Sequence, residues 1–92
     1  MDSAKFSLGQ TVATPGALDA LSQANQDPLA LLARHQAGDW GELSAEDKQE
    51  NELSLQQGFR ILSAYTLTTG LKVWLITEAD RSSTTILLPE DY

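Results

Sequence analysis

Polar and apolar positions follow two rhythms along this chain, a period of about 3.6 residues over its first half and a period of two over its last third. The helical rhythm starts after Thr14-Pro15, an N-cap followed by proline at the first helical position, where a missing N–H costs nothing. Ala17, Leu18, Leu21 and Ala24 follow at helical spacing and predict a helix over 15–24. Asp27-Pro28 repeats the device. Leu29, Leu32 and Ala33, with Leu31 beside them, give the apolar stripe of a second helix over 28–36, which Gly38 is placed to end. Asp39-Trp40-Gly41 reads as a turn. Ser44 and the acidic pair Glu46-Asp47 then open a third helix that runs to Gln57 before Gly58. Its main apolar residues are Leu43, Leu53 and Leu55, so it is expected on the surface, touching the core through a narrow stripe.

From Phe59 the rhythm changes. Phe59, Ile61, Ser63 and Tyr65 fall on one face of a strand and Leu62 and Ala64 on the other. Thr68-Thr69-Gly70 suits a tight hairpin loop into a second strand, where Leu71, Val73 and Leu75 alternate with Lys72, Trp74 and Ile76. A turn over 78–82 leads to a third strand over 83–88, ended by Pro89. The 6–13 segment mixes alternation with Gly9, as a short edge strand with a bend does, and can add a fourth strand. The expected fold is α+β: two to three N-terminal helices packed on a three- to four-stranded antiparallel sheet.

Length and composition narrow this further. The 92 residues suit one domain, 1–92, with residues 1–5 expected to be disordered, and a core of this size leaves little stability for a deep catalytic cavity. No cysteine is present, which removes disulfides, thiolate zinc sites and thiol catalysis and fits a reducing compartment, so a cytoplasmic location is expected. No basic leader followed by an apolar run opens the chain, and Lys72 interrupts its most apolar stretch, so neither export nor a membrane span is expected. Thirteen acidic against six basic residues give a formal charge of −7, which disfavours direct binding to nucleic acids or anionic membranes and suits a basic protein surface.

Three groups of residues can be weighed as sites. The acidic run Glu42, Glu46, Asp47, Glu50 and Glu52, broken by Lys48, can present carboxylates to a basic groove or can simply be a solvated helix face. Between two strands, Glu78, Asp80, Arg81 and Thr84 form the best candidate ligand or partner loop, Arg81 being able to grip an anion with Thr84 or Thr85. The structural alternative there is an Asx-turn at Asp80, with Arg81 paired to Glu78 or Asp80. The third group is His35, Asp39 and Trp40. No second histidine exists to complete a zinc set, and His35 is more simply a favourable charge at the helix end or a local hydrogen-bond partner. No Gly-rich phosphate loop, Gly-x-Ser-x-Gly elbow or His-Glu-x-x-His motif is present, so no cofactor, metal or catalytic set is expected.

The stretches Phe6-Ser7-Leu8-Gly9-Gln10-Thr11-Val12-Ala13-Thr14-Pro15-Gly16-Ala17-Leu18, Ala33-Arg34-His35-x-x-Gly38-Asp39-Trp40-Gly41-Glu42-Leu43 and Trp74-x-Ile76-Thr77-Glu78-Ala79-Asp80-Arg81-Ser82-x-Thr84 together resemble a family of short uncharacterised bacterial proteins carried on plasmids and integrative elements. Leu62-Ser63-Ala64-Tyr65 and Leu87-Leu88-Pro89-Glu90-x-Tyr92 extend the resemblance over nearly the whole chain. Members are labelled plasmid-related and sometimes type I restriction endonuclease subunit M. A methyltransferase needs a Rossmann-like sheet with a Gly-rich cofactor turn and an Asn/Asp-Pro-Pro-aromatic motif, and neither motif is present here. The resemblance implies a mobile-element setting and carries no catalytic residues with it.

These readings lead to the expectation of a non-enzymatic interaction module whose acidic surface contacts a basic partner, with a DNA-handling protein as one such partner. The competing expectations are a small ligand-binding or enzymatic domain using His35, Asp39 and the Glu78 to Arg81 loop, and an accessory that dimerises through an exposed sheet edge.

Overall fold

The computed structural model describes residues 4–92. Strand β1 (Gln10–Ala13) leads into helices α1 (Pro15–Gln23), α2 (Pro28–Gln36) and α3 (Ala45–Gln57). Strands β2 (Ile61–Thr66), β3 (Lys72–Thr77) and β4 (Ser83–Leu87) follow, and a 3₁₀ turn spans Pro89–Asp91. The fold is α+β, with one four-stranded sheet in the order β1-β4-β3-β2. The last three strands form the antiparallel meander legible in the sequence, whereas β1 adds to β4 in parallel, Gln10 opposite Ser83 and Ala13 opposite Ile86. The sheet is therefore mixed. A parallel neighbour needs a crossover, and here everything between the two strands supplies it.

Each helix starts where a side chain can hold its free N–H groups. Thr14 Oγ1 accepts from the Ala17 N–H at 3.2 Å, Asp27 Oδ1 from Leu29 at 2.9 Å and Ser44 Oγ from Asp47 at 3.1 Å. Helix α1 has no acidic residue in its first turn. Asp91, far away in the chain, supplies the charge: its carboxylate accepts from the Thr14 hydroxyl at 2.7 Å and from the Leu88 N–H at 3.0 Å, tying the 3₁₀ turn to the start of α1.

Helices α1 and α2 cover one face of the sheet. Ala17, Ala20, Leu21 and Ala24 of α1 and its following turn, with Leu31 and Leu32 of α2, pack on Tyr65, Val73, Leu75 and Ile86. The expected stripes are rotated slightly. Leu18 is exposed on α1, Ala20 taking its place inside. On α2, Leu29 is 69% exposed and Ala33 is exposed, while Leu31, Leu32 and His35 face inward. Phe59 was expected within the first strand of the meander, yet it is 54% exposed and lies before β2, because Gly58 ends α3 in a left-handed conformation and turns the chain.

Helix α3 does not sit over the core. It flanks the outer edge of β2 and makes its closest contact through polar groups, its buried residues being Asn51 and Ser54 rather than a leucine stripe. The Asn51 amide closes on Leu62 with both ends, donating to the carbonyl at 2.6 Å and accepting from the N–H at 3.1 Å. One step along the same edge, the Ala64 N–H donates to the Trp40 carbonyl and the Glu42 N–H to the Ala64 carbonyl, so the 40–42 segment pairs in parallel with β2. Gly41 permits this approach. Its φ is +75°, and a Cβ there would run into the Ala64 carbonyl oxygen and the Tyr65 ring. The expectation for residues 1–5 falls partly outside the described residues; the Lys5 N–H donates to the Gln36 carbonyl at 2.8 Å.

Candidate functional site

His35 occupies the inward face of α2 because it lies four residues after Leu31 and three after Leu32. It is 0% exposed, as are Ser63 of β2, Thr77 of β3 and Thr84 of β4. These four form one chain. Nδ1 of His35 is 2.5 Å from Ser63 Oγ, Nε2 is 2.9 Å from Thr77 Oγ1, and Thr77 Oγ1 is 2.7 Å from Thr84 Oγ1. Thr84 Oγ1 donates to the Leu8 carbonyl at 2.8 Å. That carbonyl can only accept, and each hydroxyl has one proton, so the direction of the bonds from Leu8 back to Nε2 follows. Thr77 donates to Thr84, and His35 donates from Nε2–H to Thr77. Burial lowers the imidazole pKa to about 4, which leaves the ring neutral, so Nδ1 accepts from Ser63.

The expectation that His35 is a charge at a helix end, or a partner for local groups, is thus corrected. It joins α2 to three strands, and Arg34 is the cation in that last turn. A serine and an oriented histidine do meet, but complete burial denies them a substrate. Phe6 and Trp40 close the remaining sides, their ring centroids 5.1 and 6.0 Å from that of His35.

Asp39 faces elsewhere. Its carboxylate takes the Arg34 Nε–H at 2.7 Å, and that bond holds the Asp39 pKa below and the Arg34 pKa above their ordinary values. The Arg34 guanidinium lies 4.4 Å from the centre of the Tyr65 ring, whose hydroxyl donates to the Asp39 carbonyl at 2.6 Å. Burial pushes the Tyr65 hydroxyl up to about 12. Trp40 is buried and donates its indole N–H to Glu52 at 3.0 Å. His35, Asp39 and Trp40 are neighbours without forming an acid-base set.

In the loop before β4, Asp80 makes the expected Asx-turn, accepting from the Ser82 N–H at 3.0 Å, and bonds from Ser82 lower its pKa. Arg81 neither pairs with Glu78 or Asp80 nor faces an anion site with Thr84. Its guanidinium donates to the carbonyls of Phe59, Glu78 and Ala79 and, at 3.0 Å, to that of Ser54 in the last turn of α3. It closes the negative end of that helix onto the loop. Glu78 instead pairs with Arg60 at 3.3 Å. Thr84 is buried in the His35 chain.

The acidic run divides by helix face. Glu42 accepts from the Thr66 hydroxyl at 2.7 Å and Glu52 from Trp40, so both serve the fold. Glu46, Asp47 and Glu50 instead line a groove of about 900 Å³ between α3 and the end of β2. Leu43, Leu53, Phe59 and Leu62 supply its apolar lining, with Leu53 47% and Phe59 54% exposed. Residues 46, 50, 53 and 54 share one side of a helix, which is the signal in the sequence that separates these carboxylates from Glu52. Leu62, Phe59 and Arg60 could not be placed there from the sequence, because only the packing of α3 beside β2 brings them in.

Among the described residues, no group of three or more His, Cys, Asp or Glu side chains could hold a metal ion, and no helix is long and apolar enough to cross a membrane. Comparison with protein-family models, with curated proteins and with solved structures finds no match to this chain.

Proposed function

We propose that this chain is a non-enzymatic protein-interaction module, of the accessory kind carried on mobile elements, whose acidic α3 face contacts a basic partner that handles DNA. The observation that carries the reading is the groove beside α3. Glu46, Asp47 and Glu50 line it, and none of them takes part in the two ion pairs found among the described residues, Arg34 with Asp39 and Arg60 with Glu78. Glu46 and Asp47 also suit the first turn of α3, but carboxylates outside those ion pairs, next to exposed apolar side chains, suit a basic protein surface better than water alone. The rest of the candidate chemistry is committed to the fold: His35 is sealed, Asp39 is paired and Arg81 is bonded to carbonyls. The resemblance in sequence supplies the mobile-element setting, and the formal charge of −7 supports a basic surface of the kind that holds DNA.

The test is capture from a host extract with the tagged protein at low and at moderate salt, with the triple variant Glu46→Lys, Asp47→Lys, Glu50→Lys alongside. A basic protein retained at low salt should be lost as salt rises, since the screening length falls to about 10 Å at 0.1 M. The triple variant should not retain it. Equal retention by the variant rejects the acidic face as the contact.

A further inference from the structure

The groove beside α3 is amphipathic, and the neighbouring sheet edge limits what can lie in it. A strand-like peptide would need free backbone groups along β2. Those of Leu62 are held by Asn51, and those of Ala64 by Trp40 and Glu42. An occupant must therefore arrive with its own backbone satisfied, which is the property of a helix. The exposed Leu53 and Phe59, with Leu43 and Leu62, offer contact for apolar side chains, and Glu46, Asp47 and Glu50 offer it for cations. Arg60, the one cation in the lining among the described residues, is already paired with Glu78. The complementary surface thus has leucine-like anchors on one side and lysine or arginine beside them.

We infer that the groove takes an amphipathic basic helix of a partner protein, laid alongside α3 with its apolar face against Leu53, Phe59 and Leu62. Helix α3 has 13 residues, which span about 20 Å, so an occupant of about four turns covers it. This inference rests on the acidic-face reading above and adds the form of the partner. Anchors at helical spacing would provide the affinity, and the carboxylates would select the charge and speed the encounter.

Three fluorescent peptides of about 14 residues test it by anisotropy: a Leu/Lys sequence patterned as an amphipathic helix, the same composition with two central prolines, and a lysine-only sequence of equal charge. The first should bind at least about tenfold more tightly than the others. Leu53→Ser and Phe59→Ser should each weaken it by about tenfold while leaving the circular dichroism unchanged, because both side chains are largely exposed. Amide shifts should concentrate at Leu43, Leu53, Phe59 and Leu62. Equal binding of the lysine-only or proline-containing peptide overturns the helix but leaves the acidic contact standing. Shifts elsewhere, or a self-association of the protein that Leu53→Ser abolishes, also overturn it. If no peptide binds and the triple charge reversal leaves partner capture intact, the helix and the acidic face are rejected together.

Discussion

Lowering the pH should destabilise this protein through His35 before Asp39 responds. The ordinary imidazole pKa is 6.5 and the folded value is about 4. The unfolded chain therefore takes up a proton that the folded chain refuses throughout that window. Stability contributed by the neutral ring is fully present above pH 6.5 and is lost as pH falls toward 4. At about 1.4 kcal/mol per pH unit, the loss comes to about 3 kcal/mol, out of a total near 5–15 kcal/mol for an ordinary domain. Two measurements check it. The only histidine in the chain gives a single imidazole Cε1–H resonance, whose shift should stay flat through pH 6.5 and move near 4. Urea unfolding between pH 8 and pH 4, followed by tryptophan fluorescence, should show the stability falling below pH 6.5. In His35→Gln, whose amide can still accept from Ser63 and donate to Thr77, that fall should vanish. Asp39, held below its ordinary range by Arg34, loses stability in the same direction but at lower pH. An imidazole inflection near 6.5, or parallel pH profiles for the two proteins, would refute the buried neutral chain.

Two substitutions test how the β2 edge is closed. Asn51→Leu keeps the size of the side chain but removes both bonds to Leu62, which should cost about 1–3 kcal/mol and raise the weight-average mass in sedimentation as the freed edge pairs with another copy; unchanged stability and mass would show that the amide does neither. Gly41→Ala should cost about 3 kcal/mol or more, because the added Cβ meets the Ala64 carbonyl as well as a left-handed backbone. Gly58→Ala, at a similar φ of +76° with no atom within 4 Å of the Cβ position, should cost only about 1–2 kcal/mol in the same urea assay. Equal costs at the two positions would remove the close-approach argument.

The site was legible in part. The buried polar chain carries a signal in each element: His35 sits on the helical stripe of Leu31 and Leu32, and Ser63, Thr77 and Thr84 share the inward parity of their strands. No local pattern says that these four meet, because they come from four elements separated by up to 49 positions in the numbering. Arg81 misleads for a related reason. Its carboxylate neighbours Glu78 and Asp80 are adjacent in sequence, while the carbonyls that take its protons belong to Ser54 and Phe59 as well as to its own loop. Of the acidic run, the sequence could separate Glu52 from Glu46 and Glu50 by helical angle, but not give them a facing wall.

By itself, then, the sequence determined the elements whose cause is local. Thr14, Asp27 and Ser44 cap the helices, Gly58 ends the third, and alternation writes the three strands of the meander. Tertiary structure decided whatever depends on which surfaces come together. The parallel pairing of β1, the inward turn of α2 that buries His35 in place of Leu29, and the lodging of α3 on the β2 edge through Asn51 all arise from contacts between distant segments. Hydrogen-bond satisfaction and shape, rather than periodicity, choose among such contacts, and both exist only once the chain has closed on itself.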